Sequence, residues 1–390
     1  MTTTVLPPTP TADNLGKSTS PAPEWARRAH SETKLLKTKS QWFWFVLAIV
    51  LVTAIPLMVG NPFVISLGLT VGIFTIAVVG LNILTGYTGV ISLSHSIFIG
   101  VGAFTGVGLG ALLELPLVIW LPGCFIISGL VAAAIAPLTL RLKGVFQVIL
   151  SLGMLFIGHY VFVNIPSLTG GNSGISGSPK LSLGLLDFGS LELFGMKYSY
   201  NAGLFLLVWF IVIASMVVVA NMMRTKFGRS MVAVREDETA AQLAGIDTNA
   251  VKVKAFILAG AFGGLSGGLL LAQLRYVNAE QFGIAMGLEL LIITVVGGLG
   301  TAWGPLLGAL VIASIPVLAA QYGQLLPFLK ADNDSTSIGI PVGQVGLLVH
   351  GLALVLVMVF EPRGISHFFK AKGNQHRART EKSSEASETQ

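Results

Sequence analysis

Apolar residues run through this chain in long blocks, and the charges are confined to the gaps between them. From Gln41 to Leu113 there is no Asp, Glu, Lys or Arg. About 20 apolar residues cross a bilayer as a helix, so this block predicts three spans, broken at Asn61-Pro62 and at Gly86-Tyr87-Thr88. Continued along the chain, the pattern predicts ten transmembrane helices, at 42–59, 63–84, 89–112, 117–139, 145–164, 202–222, 251–273, 287–300, 304–322 and 342–360. The eighth is short, and a re-entrant or broken helix is allowed there only where protein or a cavity covers its backbone. The third is rich in Ser and Gly and is a second candidate for a break. The expected fold class is an all-α polytopic membrane protein, with eight spans and two re-entrant pieces as the alternative of the same parity.

Composition agrees with the pattern. Of the 390 residues, 53% are hydrophobic and only 11% charged, against about 25% charged in a soluble domain. Mean hydropathy is +0.79. An ordinary soluble protein and a nucleic-acid-binding domain are excluded, because the net charge of +6 is carried in tails and short loops and not as a basic stripe on a folded face. Positive residues mark the cytoplasmic side. With both termini inside, all but four of the 24 Lys and Arg fall on the inner side, the exceptions being Lys180, Lys197, Arg275 and Lys330. The expected organisation is a disordered cytoplasmic tail over 1–40, a transmembrane body over 41–361 and a cytoplasmic tail over 362–390. Within the body, residues 165–200 form an outer loop and 224–250 the sizeable inner loop.

The inner loop reads Arg235-Glu236-Asp237-Glu238-Thr239-Ala240-Ala241-Gln242-Leu243-Ala244-Gly245-Ile246-Asp247. Three acids ahead of Ala-rich helix formers suit a helix N-terminus, where negative charge meets the helix dipole, and Gly245 suits its C-terminal stop. The expectation is a short exposed helix whose small residues let another protein approach closely. Glycines recur at four-residue spacing, at Gly102, Gly106 and Gly110, at Gly260, Gly264 and Gly268, and at Gly300, Gly304 and Gly308. Small residues so spaced let membrane helices pack closely.

Chemistry for an enzyme is missing from the polar segments. Gly16-Lys17-Ser18 has Thr11 where a phosphate loop needs glycine, and no metal cluster or nucleophile triad is spelled out. No cofactor is expected. The single cysteine, Cys124, lies in an apolar run and has no partner for an internal disulfide.

Four stretches together resemble one family, the LivM-type permeases of branched-chain amino acid ABC importers. They are the 235–247 loop, with Glu238, Ala240, Ala241, Gly245 and Ile246; Gly86-Tyr87-Thr88-Gly89 with Ser92-Leu93-Ser94-His95; Leu168-Thr169-Gly170-Gly171 with Asn172 and Gly174; and Glu289 followed by Gly297-Gly298-Leu299-Gly300-Thr301 and Trp303-Gly304-Pro305. Ser94 stands where the family usually has glycine. The resemblance implies that Arg235, Glu236, Asp237, Glu238, Ala240, Ala241, Gly245 and Ile246 form a coupling helix seated in a groove of an ATPase. It implies two cytoplasmic ATP-binding subunits, a second, LivH-like permease and an extracytoplasmic solute-binding protein, all around a chain in the cell inner membrane and in contact with lipid. The binding protein is expected to dock on 165–200 and 274–286.

Candidates for the translocation path are Asn82, Thr85, Tyr87, Ser92, Ser94, His95 and Glu289, since polar and ionisable groups at membrane depth are costly and point to function. For each a plainer role stands beside the functional one. His95 also reads as a neutral imidazole bonded to a neighbouring helix, Asn82, Thr85 and Tyr87 as a helix cap, and Glu289 as a solvated rim residue. Urea, short amides and other small solutes are the alternative cargo. A stand-alone channel or ion-coupled carrier is the distant alternative, disfavoured because such a protein needs no ATPase-docking helix.

Overall fold

The computed structural model describes residues 61–139, 144–183, 186–188, 192–193, 196–197 and 199–322, with short pieces at 329–330, 340–341, 351–352 and 355. The expected tails, the expected span 42–59 and nearly all of 342–360 lie outside the described residues.

Among the described residues, six helical segments are long and apolar enough to cross a membrane. The first joins α1 (Pro62–Leu81) to a π-helical turn, Asn82–Tyr87. Asn61 caps α1, its side chain accepting from the Phe63 amide, and Pro62 occupies the first turn, where its missing N–H is no loss. The second joins α2 (His95–Gly106) to a further π-helical turn, Val107–Leu112. The others are α3 (Leu117–Thr139), α4 (Val145–Asn164), α5 (Tyr200–Met223) and, after two short helices, α8 (Thr248–Leu274). The short helices are α6 (Lys226–Glu236) and α7 (Glu238–Leu243). Beyond α8 come α9 (Ile284–Gly297), α10 (Gly304–Ile312) and α11 (Ser314–Tyr322). The expected spans 287–300 and 304–322 are thus shorter helices, and α9 and α10 fold back on each other as a hairpin.

The bundle is arranged around α8, which packs on α1, α2 and α3. Its glycines make this possible. A Cβ on Gly264 would overlap the Cys124 carbonyl and the Ser128 side chain on α3, and one on Gly102 would overlap the Gly264 backbone. Gly106 faces Gly268, and Gly260 meets Ala132 and Ser128. The Ser128 hydroxyl lies 2.9 Å from the Phe98 carbonyl and 2.8 Å from the Gly260 carbonyl, so it sits where α2, α3 and α8 meet. Lipid supplies no hydrophobic drive between helices, so close backbone approach and such bonds hold them together. The third glycine set does not form one stripe. Gly300 lies in the turn before α10 at φ +72, Gly304 opens α10, and Gly308 packs against Gly297 across the hairpin. In contrast, α4 leaves Phe146, Ile149, Phe156, Ile157 and Tyr160 exposed.

The bundle has two ends. The proximal end carries α6, α7 and the last turn of the first segment, and the distal end carries residues 165–183 and 275–283. At the distal end, strand β1 (Ile175–Ser176) pairs antiparallel with β2 (Tyr276–Val277), and the Tyr276 hydroxyl donates to the Ser173 carbonyl at 2.8 Å. The turn between Thr169 and Gly174 uses glycine where L side chains are strained, with Gly170, Gly171 and Gly174 all at positive φ. The described part of the expected stretch 165–200 is thus joined to the stretch 274–286 through residues 173–176 and Tyr276–Val277.

Candidate functional site: the proximal junction

Three of the sequence signatures meet at the proximal end. The break after Gly86-Tyr87-Thr88 makes a non-helical passage from Thr88 to Ser94, and α2 begins only at His95. Such backbone must find partners at membrane depth. Here the Thr85 hydroxyl donates to the Val90 carbonyl at 3.0 Å, the Thr88 hydroxyl to the Ile83 carbonyl at 3.0 Å, and the Val90 amide to the Leu84 carbonyl at 3.1 Å. Further on, the Leu93 amide donates to the Ser151 hydroxyl at 3.1 Å, and Ser92 and Ser94 share a bond of 3.0 Å. Thr85, Ser92 and Ser94 therefore hold this passage in place.

Asn82 holds the second signature. Its side-chain oxygen accepts from the Gly300 amide at 2.8 Å and its side-chain nitrogen donates to the Thr301 carbonyl at 3.0 Å. It does not cap α1 by its side chain; instead it fastens the Gly298–Trp303 turn to the end of the first span. Gly86 has no room for a side chain, because a Cβ would meet Asn82 and the Gly300 amide. The turn runs through Gly298 at φ +107 and Gly300 at φ +72, which glycine tolerates and most residues do not.

Arg235 brings in the third signature. From the last turn of α6 its guanidinium donates to the Gly86 carbonyl, and its stem lies over Gly89. A side chain on Gly300 would run into the same guanidinium. One arginine thus touches both turn signatures.

The three expected acids divide between two helices. Glu236 ends α6, and Asp237 sits at the break in extended conformation, with φ −155. Its carboxylate accepts from the Thr239 amide at 2.8 Å and the Ala240 amide at 3.0 Å, which makes it the N-cap of α7. Glu238 stands in the first turn, where the dipole favours it. Gly245, at φ +81 with open space around it, follows the C-cap Ala244. Ala240 is exposed, whereas Ala241 is buried and Ile246 half-buried. Only part of the small-residue surface therefore faces outward. The rest seats α7 on the bundle.

Glu238 also anchors α7 from beneath. Its carboxylate pairs with the Lys252 ammonium at 2.8 Å, with side-chain exposures of 21% and 8%. The Gln242 amide donates to the Thr248 hydroxyl at 2.9 Å, and Asp247 caps α8 by accepting from the Ala250 amide at 3.0 Å. With both charges largely out of water, loss of either partner leaves the other uncompensated. Lys252 at the mouth of an apolar helix was the signal for this pair, but spacing alone does not tell which acid it meets.

The remaining path candidates are placed elsewhere. His95 is fully buried and its Nε2 lies 2.9 Å from the Ala77 carbonyl, with Gly80 and Gly263 against its ring. That contact corresponds to the plainer of its two expected roles, a bond to a neighbouring helix. Tyr87 is buried at the end of the π turn. Glu289 is half-buried on α9, away from the junction. Sequence reasoning missed Gln147, near the start of α4. It is buried, and its amide nitrogen has no partner. A lone amide in an otherwise apolar span was the only sign of it. Among the described residues there is no group of three or more His, Cys, Asp or Glu able to hold a metal ion.

A glycine-packed bundle of long apolar helices, with a short cap-stabilised helix held at one end by an ion pair, is the architecture of a multi-pass membrane permease. The chain belongs to the family described as branched-chain amino acid transport system permease component, whose match covers residues 63–358. It is 30% identical over 345 residues to the high-affinity branched-chain amino acid transport system permease protein LivM of Escherichia coli K12, covering 84% of this chain and 75% of that protein. It is 25% identical over 308 residues to the corresponding permease protein BraD of Pseudomonas aeruginosa, covering 76% of this chain and 93% of that one. To the permease protein LivH of Salmonella typhimurium it is 28% identical over 182 residues, covering 46% of this chain and 56% of the relative. No solved structure matches the chain.

Proposed function

We propose that this chain is the LivM-type permease subunit of an ABC importer that carries branched-chain amino acids across the plasma membrane into the cell. The observation that carries the reading is the Arg235 clamp. It joins the end of α6, directly ahead of the helix that resembles a coupling helix, to the two turns, 86–89 and 297–301, that end the membrane segments. Motion applied to α7 passes through Arg235 and the Glu238–Lys252 pair into the first span, the α9–α10 hairpin and α8 at once. The LivM and BraD relatives, both branched-chain amino acid transport system permease proteins, support the cargo class.

The proximal end is the cytoplasmic face in this reading. Two ATP-binding subunits work from there, one of them receiving Ala240, Gln242 and Leu243 of α7, all exposed. The chain contributes no ATP hydrolysis itself. A second, LivH-like permease completes the pathway, and a solute-binding protein delivers cargo at the distal rim formed by 165–177 and 275–283. Ten spans with both termini inside remain the topology that the Lys and Arg distribution favours.

The test is reconstitution. The chain is co-purified with its co-encoded subunits into proteoliposomes, and uptake of labelled leucine, isoleucine, valine and urea is followed with and without ATP. Saturable, ATP-dependent uptake of the three amino acids supports the reading. Uptake of urea in their place would move the cargo assignment, and ATP-independent flux by the chain alone would overturn the importer reading.

A further inference from the structure

The outward side of α5 changes character at its proximal end. Phe210, Ala214, Val217, Val218, Asn221 and Arg224 are all exposed, and their spacing of three or four residues places them on one face of the helix. That face is apolar as far as Val218 and polar from Asn221 onward. A helix surface that meets lipid chains and then headgroups has this order.

At the foot of the stripe the chain turns sharply into α6. The Thr225 hydroxyl donates to the Met222 carbonyl at 2.6 Å and accepts from the Gly228 amide at 3.4 Å. A Cβ on Gly228 would overlap the backbone of Met222 and Met223, so glycine lets the first turn of α6 press against the last turn of α5. Lys226 and Arg229 therefore stand at the depth where the span ends. Both are exposed, and neither is paired with an acid among the described residues. From Tyr200 to Arg235 the chain has no Asp or Glu. The dipole of α6 disfavours cations in its first turn, so local folding does not explain their place, whereas an anion at this corner does.

We propose that the α5–α6 corner binds an anionic phospholipid, with its phosphate at Lys226 and Arg229 and an acyl chain along the 210–218 stripe. Cations immediately beyond a span attract anionic headgroups, and the apolar stripe above them selects a lipid over a free phosphate. Arg235 lies in the last turn of the same helix, so a lipid held at one end of α6 steadies the clamp at the other. Binding rests on the corner alone. Its consequence rests on the importer reading, in which anionic lipid supports coupling of ATP hydrolysis to uptake.

The experiment uses the complex assembled with its co-encoded subunits. Native mass spectrometry counts the lipid that this chain carries when ejected from the complex, with phosphatidylglycerol or phosphatidylcholine added. The inference expects saturable retention of phosphatidylglycerol, weaker retention of phosphatidylcholine and no displacement by inorganic phosphate. The double change Lys226→Gln with Arg229→Gln weakens retention about thirtyfold, the effect of two cations beside an anionic headgroup. The charge-keeping pair Lys226→Arg with Arg229→Lys retains the lipid, and so does Lys180→Gln, which removes a charge at the distal end. Each variant is accepted only if it keeps both ATP-binding subunits on size exclusion. A double glutamine variant that holds phosphatidylglycerol as the wild type does would overturn the inference. Displacement by inorganic phosphate would overturn the lipid assignment in favour of a free anion. Retention seen only after the ATP-binding subunits are stripped away would overturn it in favour of a protein partner. In none of these cases is the importer reading touched, because that stands or falls on ATP-driven uptake by the wild-type complex.

Discussion

The Asn82 side chain holds residues 218 positions away in sequence, accepting from the Gly300 amide at 2.8 Å while donating to the Thr301 carbonyl at 3.0 Å. One amide thus satisfies two backbone groups of a turn that has glycine at positive φ on both sides of Leu299. Aspartate keeps the shape but loses the donor, and alanine loses both bonds. Each backbone group left unpaired in a buried setting costs about 1–3 kcal/mol. Asn82→Ala is therefore expected to lower the thermal midpoint of the purified complex and to abolish most ATP-driven uptake, with Asn82→Asp falling between. A differential scan beside an uptake assay checks both.

The Glu238–Lys252 pair carries a different expectation. Both side chains are mostly buried, so removing one partner leaves a charge without compensation. Glu238→Gln is expected to cost about 2–3 kcal/mol, less than for a pair fully sealed from water. The double change Glu238→Gln with Lys252→Met removes both charges and is expected to recover most of the thermal stability. If the pair also transmits motion, uptake stays low in the stable double variant while ATP hydrolysis continues. Comparing hydrolysis with uptake in the same vesicles separates the two effects.

Glycine positions in the bundle divide into those with no space and those with plenty. Gly264 has the Cys124 carbonyl and the Ser128 side chain against it, whereas Gly153 on α4 has open space around it. Gly264→Ala forces α3 and α8 apart and is expected to cost about 1–3 kcal/mol, as overpacking does. Gly153→Ala is expected to be neutral or to stabilise by up to about 1 kcal/mol, through helix propensity. Thermal midpoints of the two variants, measured in one detergent, decide it.

At the distal end the Lys180 ammonium lies 2.6 Å from Glu114, and this neighbour holds the Glu114 carboxyl below the usual carboxylate range. A lowered carboxyl contributes stability above the ordinary carboxylate range and loses it as pH falls through the lowered value. Both side chains are exposed, so screening leaves little of it. Glu114→Gln is expected to leave the thermal midpoint unchanged at neutral pH in high salt, with a small loss in low salt that disappears under acid.

Much of this architecture was legible because the bilayer imposes simple rules. Six of the expected spans coincide with long helices to within a few residues at most ends, since length and apolarity decide them. The exception, 89–112, starts late at His95 because Ser and Gly favour a bonded passage over a helix there. The four-residue glycine spacing marks faces for close packing without naming the helices that meet there, and it takes in Gly300, whose positive φ belongs to a turn. Spacing cannot separate a helix stripe from a turn that happens to share its period. The acids of the inner loop were read as one helix start, yet Asp237 breaks the segment in two, because its side chain caps α7. Pairings across the bundle, Asn82 with Gly300 or Glu238 with Lys252, were illegible. They depend on which helix ends meet, and no local pattern encodes that. Gln147 carried too weak a signal for the same reason.

The central claim is that α7 is the contact through which partner ATPases act on this chain, and a single engineered cysteine tests it most directly. Cys124 is buried, so Ala240→Cys on the exposed face of α7 adds an accessible thiol to an otherwise quiet chain. The variant is assembled with its co-encoded subunits and treated with a short thiol-to-amine cross-linker in native membranes. The account predicts a covalent adduct between this chain and the ATP-binding subunit, with maleimide labelling of Ala240→Cys blocked in the complex. Free labelling and no adduct, in a complex that still contains its ATP-binding subunits, would contradict it.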